Sequence, residues 1–155
     1  MNDLKHKFLL DETVTFLNHG SYGACPVPIF EDYQTWQKKL EQQPVKFLKT
    51  DIWNALRNSR LSLSEFVGCN EDEILFFHNP TSAIANVINS LHLNEGDEVL
   101  MTDHEYGALV RQWNLWGEKN KVNVIQQKIP VPVTSKKEFV ENFFRGVTKK
   151  TKVIF

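Results

Sequence analysis

The order of apolar and polar positions divides the chain into two textures. Before about residue 70 the apolar residues recur at helical spacing. Ile29, Tyr33, Trp36 and Leu40 lie four, three and four residues apart, behind Pro26 and Pro28, which suit a first helical turn. Glu31, Lys38, Lys39 and Glu41 occupy the outer side, and Gln42-Gln43-Pro44 ends this helix. A second helix is predicted over residues 51–67. Ile52, Trp53, Leu56, Leu63 and Phe66 form its apolar side and Gly68 closes it. From Glu73 onward, short apolar runs alternate with helical patterns. The runs at 74–77, 99–101, 122–125 and 152–155 read as strands. Between them one helix opens at Thr81-Ser82 and carries Ala83, Ile84, Val87, Ile88 and Leu91. A second covers 105–116 with Leu109, Trp113 and Trp116, and a third covers 135–147 with Phe139, Val140, Phe143 and Phe144. Such alternation predicts an α/β fold, a mostly parallel sheet with helices on both faces.

Two stretches are read as turns. Asn18-His19-Gly20-Ser21-Tyr22-Gly23 sets two glycines among small polar residues, after a short extended piece at 13–17, and predicts a specially shaped backbone. Asn94-Glu95-Gly96-Asp97 is the other. The chain thus falls into an arm and loop at 1–25, two helices at 26–70, and a βαβαβαβ part at 71–155. The final apolar run has no helix after it, and a parallel strand needs cover on both faces. Either the chain is the front portion of a larger fold, or this strand lies at an edge.

Composition narrows the class. The chain has 155 residues, 41% of them apolar and 24% charged, which fits an ordinary folded domain with a real core. A net charge of −1 offers no electrostatic case for nucleic acid or for an anionic membrane. The two cysteines, Cys25 and Cys69, make neither a ligand cluster nor a disulfide framework. The N-terminus lacks a signal-like apolar run and no stretch reaches transmembrane length, so the cytoplasm is the expected compartment.

The candidate chemistry begins at residues 76–91. An apolar run stops at His78-Asn79-Pro80, and a helix follows beside two hydroxyls, Thr81 and Ser82. Its first N–H groups and its dipole favour an anion. The same pattern describes an ordinary capped helix. GxGxxG, GxxxxGK[ST] and GxSxG are absent. His104-Glu105 does not extend to a zinc motif, because position 108 is Ala108, and the other histidines lack ligand spacing.

Three ordered stretches together resemble the class V aminotransferase family of pyridoxal-phosphate enzymes, with isopenicillin N epimerase-like members nearest in pattern and cysteine desulfurases as cousins. They are residues 17–26, Asn79-Pro80-Thr81-Ser82-Ala83-Ile84, and Gly96-Asp97-Glu98-Val99-Leu100 leading to Asp103-His104-Glu105-Tyr106-Gly107-Ala108. The resemblance implies the front portion of a fold-type I large domain, with 1–25 as an arm carrying an active-site loop and 26–70 as helices packing on that domain. It implies that Thr81, Ser82 and the Ala83 N–H bind the phosphate of pyridoxal 5'-phosphate. Tyr106 would stack on its ring, with His104 as the alternative. Asn18 and His19 would face an amino-acid substrate, though a glycine-bounded turn also explains them. It further implies a homodimer. Three departures stand out. Pro80 replaces a small residue, and Ala85 stands where many members have asparagine. The Schiff-base lysine lies downstream in the family, and none of Lys119, Lys121 or Lys128 has its context, so no catalytic residue is assigned in this chain. The implied reaction is epimerase, desulfurase or lyase, or aminotransferase chemistry. The alternatives are a non-catalytic phosphate-binding module derived from the family and an unrelated α/β phosphate-binding domain.

Overall fold

Residues 4–155 are described by a computed structural model, and the chain divides into two units, Met1–Leu75 and Phe76–Phe155. In the first unit a 3-10 turn, Lys5–Lys7, leads to Phe8, which forms an isolated antiparallel bridge with Pro26. The expected extended piece at 13–17 joins no ladder among the described residues. The turn at 18–23 closes through the Tyr22 N–H, which donates to the Asn18 carbonyl at 3.0 Å. Neither Gly20 nor Gly23 adopts a left-handed conformation. At Gly23 the demand is for room, since a Cβ there would lie 3.3 Å from the His19 carbonyl.

Helix α1 (Val27–Gln42) starts behind an extended Pro26, as Pro in a first turn allows. Helix α1 ends at Gln42 with a non-helical Gln43, as Gln42-Gln43-Pro44 predicts. Pro44 then opens a new single turn, α2 (Pro44–Lys46), which passes through a π-helical turn at Phe47–Asp51 into α3 (Ile52–Val67). The periodicity did not reveal this continuation, because Pro supplies no N–H yet is tolerated at a helix start. Phe47 is buried with its ring 6.1 Å from that of Trp36. Ile29 and Tyr33 of α1, and Trp53 and Phe66 of α3, read as core-facing, are exposed. Gly68 stops α3 in the left-handed region (φ 75°), and its N–H and that of Cys69 both donate to the Ser64 carbonyl.

The second unit holds α4 (Pro80–Ser90), β1 (Glu98–Thr102), α5 (Gly107–Asn120), β2 (Asn123–Gln127), α6 (Lys136–Phe144) and β3 (Thr151–Ile154). The three strands form a fully parallel sheet in the order β2-β1-β3. Alternation along β1 sorts the core. Val99 and Met101 meet Ile88 of α4 and Trp113 of α5 on one face, while Leu100 meets Ile129 and Phe143 of α6 on the other. The expected two-sided α/β layering is therefore present.

Two expectations for this unit are corrected. The apolar run at 74–77 is not a strand. Ile74 is extended, but both edges of β1 are already taken by β2 and β3, and the run pairs with neither outer edge. Val87 is 54% exposed, because Ile84, Ile88 and Leu91 carry the packing and Val87 lies at the margin of their stripe. On α6 only Phe143 is buried; Val140 and Phe144 are half exposed.

Candidate functional site

The site lies at the carboxyl edge of the sheet in the second unit. Helix α4 ends just before the turn that feeds β1, so it runs against β1 and its first turn returns to the edge where β1 ends. Helix α5 leaves that same edge. The two helices pack side by side through Ile84, Ile88, Val110 and Trp113, with both N-termini at the sheet's carboxyl end. This is where open α/β sheets place their ligands.

The mouth of α4 is organised by Asn79, whose importance the sequence reading missed. Asn79 is the N-cap, and its Oδ1 accepts from the Ser82 N–H at 2.8 Å and from the Ser82 hydroxyl at 3.0 Å. An asparagine directly before a first-turn proline was the available signal. Ser82 is thus partly committed. The Ala83 N–H donates to the Asn79 carbonyl at 3.2 Å, the first bond of the helix ladder, so it is not the free donor that was expected. Thr81 is different. Its N–H and its hydroxyl have no hydrogen-bond partner among the described residues, and they stand at the positive end of the helix dipole.

Across the same edge, Tyr106 is the N-cap residue of α5. Its carbonyl accepts from the N–H groups of Leu109 and Val110, at 2.8 and 3.1 Å. Tyr106 is 68% exposed, and its phenol has no hydrogen-bond partner among the described residues. His104, the alternative ring partner, is engaged elsewhere: its Nε2 lies 3.0 Å from the Ile129 carbonyl. A carbonyl only accepts, so Nε2 carries the proton and donates. Asn18 and His19 belong to the first unit. There the Ala24 N–H approaches His19 Nδ1 at 3.5 Å, and Phe16 meets the imidazole edge to face at 4.7 Å. Free donors at an open helix end, with a flat unpartnered ring at the same sheet edge, fit a phosphorylated aromatic molecule.

A family model described as Aminotransferase class-V matches residues 29–155. Isopenicillin N epimerase of Amycolatopsis lactamdurans is 31% identical over 149 residues, covering 94% of this chain and 37% of that protein. L-cysteine desulfhydrase of Arabidopsis thaliana is 26% identical over 157 residues, covering 96% of this chain and 35% of its own. The chain therefore spans little more than a third of these relatives. Among solved structures, a C-DES mutant with glycine covalently linked to its pyridoxal-phosphate cofactor superposes with a TM-score of 0.84. It is 18% identical, over 97% of this chain and 39% of that one, and so speaks to the fold.

Proposed function

The chain belongs to the class-V aminotransferase family, and from that premise we propose that it supplies the phosphate-holding and ring-stacking part of a pyridoxal-phosphate-dependent enzyme acting on an amino acid. The epimerase and desulfhydrase relatives support that substrate class. The observation that carries the reading is Thr81: a residue whose N–H and hydroxyl are both unpartnered among the described residues, at the mouth of an 11-residue helix. When bound, the cofactor supplies an electron sink for charge developing at the substrate α-carbon. The residues of this chain bind and orient it. Thr81 donates from N–H and hydroxyl to phosphate oxygens, and the α4 dipole favours their negative charge. Asn79 holds the first turn in shape by accepting from Ser82. The Tyr106 phenol would stack against the cofactor's aromatic ring. No lysine of this chain is assigned to covalent chemistry.

The test is a titration of the purified chain with pyridoxal phosphate, followed by equilibrium dialysis. Binding is expected, and pyridoxal without its phosphate should bind far more weakly. Thr81→Val removes the hydroxyl and keeps the shape. It should weaken pyridoxal phosphate by about tenfold or more, since a hydrogen bond to a charged group is worth roughly 1.5–3 kcal/mol. Equal affinity for the phosphorylated and unphosphorylated forms would reject the site. Phosphate-dependent binding indifferent to Tyr106→Ala would instead favour a phosphate-binding module with no ring recognition.

A further inference from the structure

We propose that Asp103 and His104 form a clamp that fixes the mount of Tyr106, making both of them positioning residues for the ring-stacking side chain. This rests on the reading of Tyr106 given above.

The clamp is built from two consecutive residues just after β1 and one residue beyond β2. The Asp103 N–H donates to the Gln127 carbonyl at 3.1 Å, which carries the β1–β2 pairing one step past the strand. Asp103 Oδ1 accepts from the Ile129 N–H at 3.0 Å. His104 Nε2 donates to the Ile129 carbonyl at 3.0 Å and also lies 3.4 Å from Asp103 Oδ1. Two neighbouring side chains thus hold both backbone groups of one residue. That residue is an anchor, because the Ile129 side chain is buried against Leu100 and Phe143. A second brace lies inside the turn. Thr102 Oγ1 donates to Glu105 Oε1 at 2.8 Å and accepts from the His104 N–H at 3.3 Å.

Only Glu105 separates His104 from Tyr106. Downstream, the Tyr106 carbonyl is held by two N–H groups of α5. The backbone of Tyr106 is therefore fixed from both sides, while its phenol is exposed and unpartnered among the described residues. A rigid mount with a free ring is what preorganised stacking requires, because the ordering cost falls before the ligand arrives. An ordinary surface tyrosine at a helix start would need no such anchoring to a segment 25 residues away from His104.

The experiment is a double-mutant cycle on pyridoxal phosphate affinity, with amide hydrogen exchange as a second readout. Three results are expected together. His104→Ala should weaken binding by about threefold to tenfold, the low end of couplings within one network. It should do so only while Tyr106 is present, with no further loss on a Tyr106→Ala background. His104→Gln, whose side-chain N–H reaches the same carbonyl, should restore affinity. Exchange of the Ile129 N–H should speed up in Asp103→Ala and stay slow in His104→Gln. Additive losses from His104→Ala and Tyr106→Ala would overturn the clamp and leave the stacking role standing. No loss from Tyr106→Ala alone would overturn the stacking role, and the clamp with it.

Discussion

Asn79 shows how one side chain sets both the shape and the charge at the mouth of α4. Its amide oxygen takes two donors from Ser82, which leaves Thr81 as the residue with open donors. This separates stability from binding. Asn79→Ala should cost about 1 kcal/mol, the usual worth of an N-cap. Asn79→Asp keeps the cap and suits the dipole, so urea unfolding should leave stability within about 0.5 kcal/mol of the parent. It also sets a carboxylate beside the proposed phosphate. Like charges about 4 Å apart repel by roughly 1–4 kcal/mol across surface dielectrics, so phosphate affinity should fall tenfold or more. Unchanged affinity in Asn79→Asp would place the anion elsewhere. The cap itself was legible, since asparagine before proline announces a helix start. The Asp103–His104 clamp was not, because its partner Ile129 is distant in sequence and no local pattern encodes a contact to a backbone carbonyl.

At the scale of elements, periodicity revealed what local burial determines. The helices at α1, α3, α4, α5 and α6 and the strands β1, β2 and β3 all follow from apolar spacing. The run at 74–77 looked no different from β1 in composition. Its lack of a neighbour is a property of the sheet, which no short window of sequence contains. The approach of α5 to β2 is another such property. A Cβ on Gly117 would lie 2.8 Å from the Val122 carbonyl and 2.9 Å from Val124 Cγ2, so the helix rests directly on the strand there. Gly117→Ala gains about 1 kcal/mol of helix propensity and loses more by forcing the two elements apart. A net loss of about 1–3 kcal/mol is expected by denaturant titration. A stabilised variant would mean that α5 slides without cost. Because α5 also carries Tyr106 at its start, the same variant should weaken pyridoxal phosphate binding.

For the molecule as a whole, a family model spanning residues 29–155 meets a chain little more than a third the length of its relatives. Large apolar side chains stand open in both units, among them Leu17, Phe66, Leu75 and Leu115. A net charge of −1 gives little repulsion between copies. Association is the expected result, in keeping with the homodimer that the resemblance implies. In sedimentation equilibrium the weight-average mass should rise with protein concentration above that of one chain. A constant single-chain mass would oppose it. Among the described residues no helix is long and apolar enough to cross a membrane.

The order β2-β1-β3 has a consequence for biosynthesis. The central strand is the first of the three to leave the ribosome, and its second flank arrives about fifty residues later. Until then Val99, Leu100 and Met101 are a sticky, half-dressed ribbon. Chaperone capture during translation should therefore concentrate on that tripeptide and cease once Val153 and Ile154 have emerged.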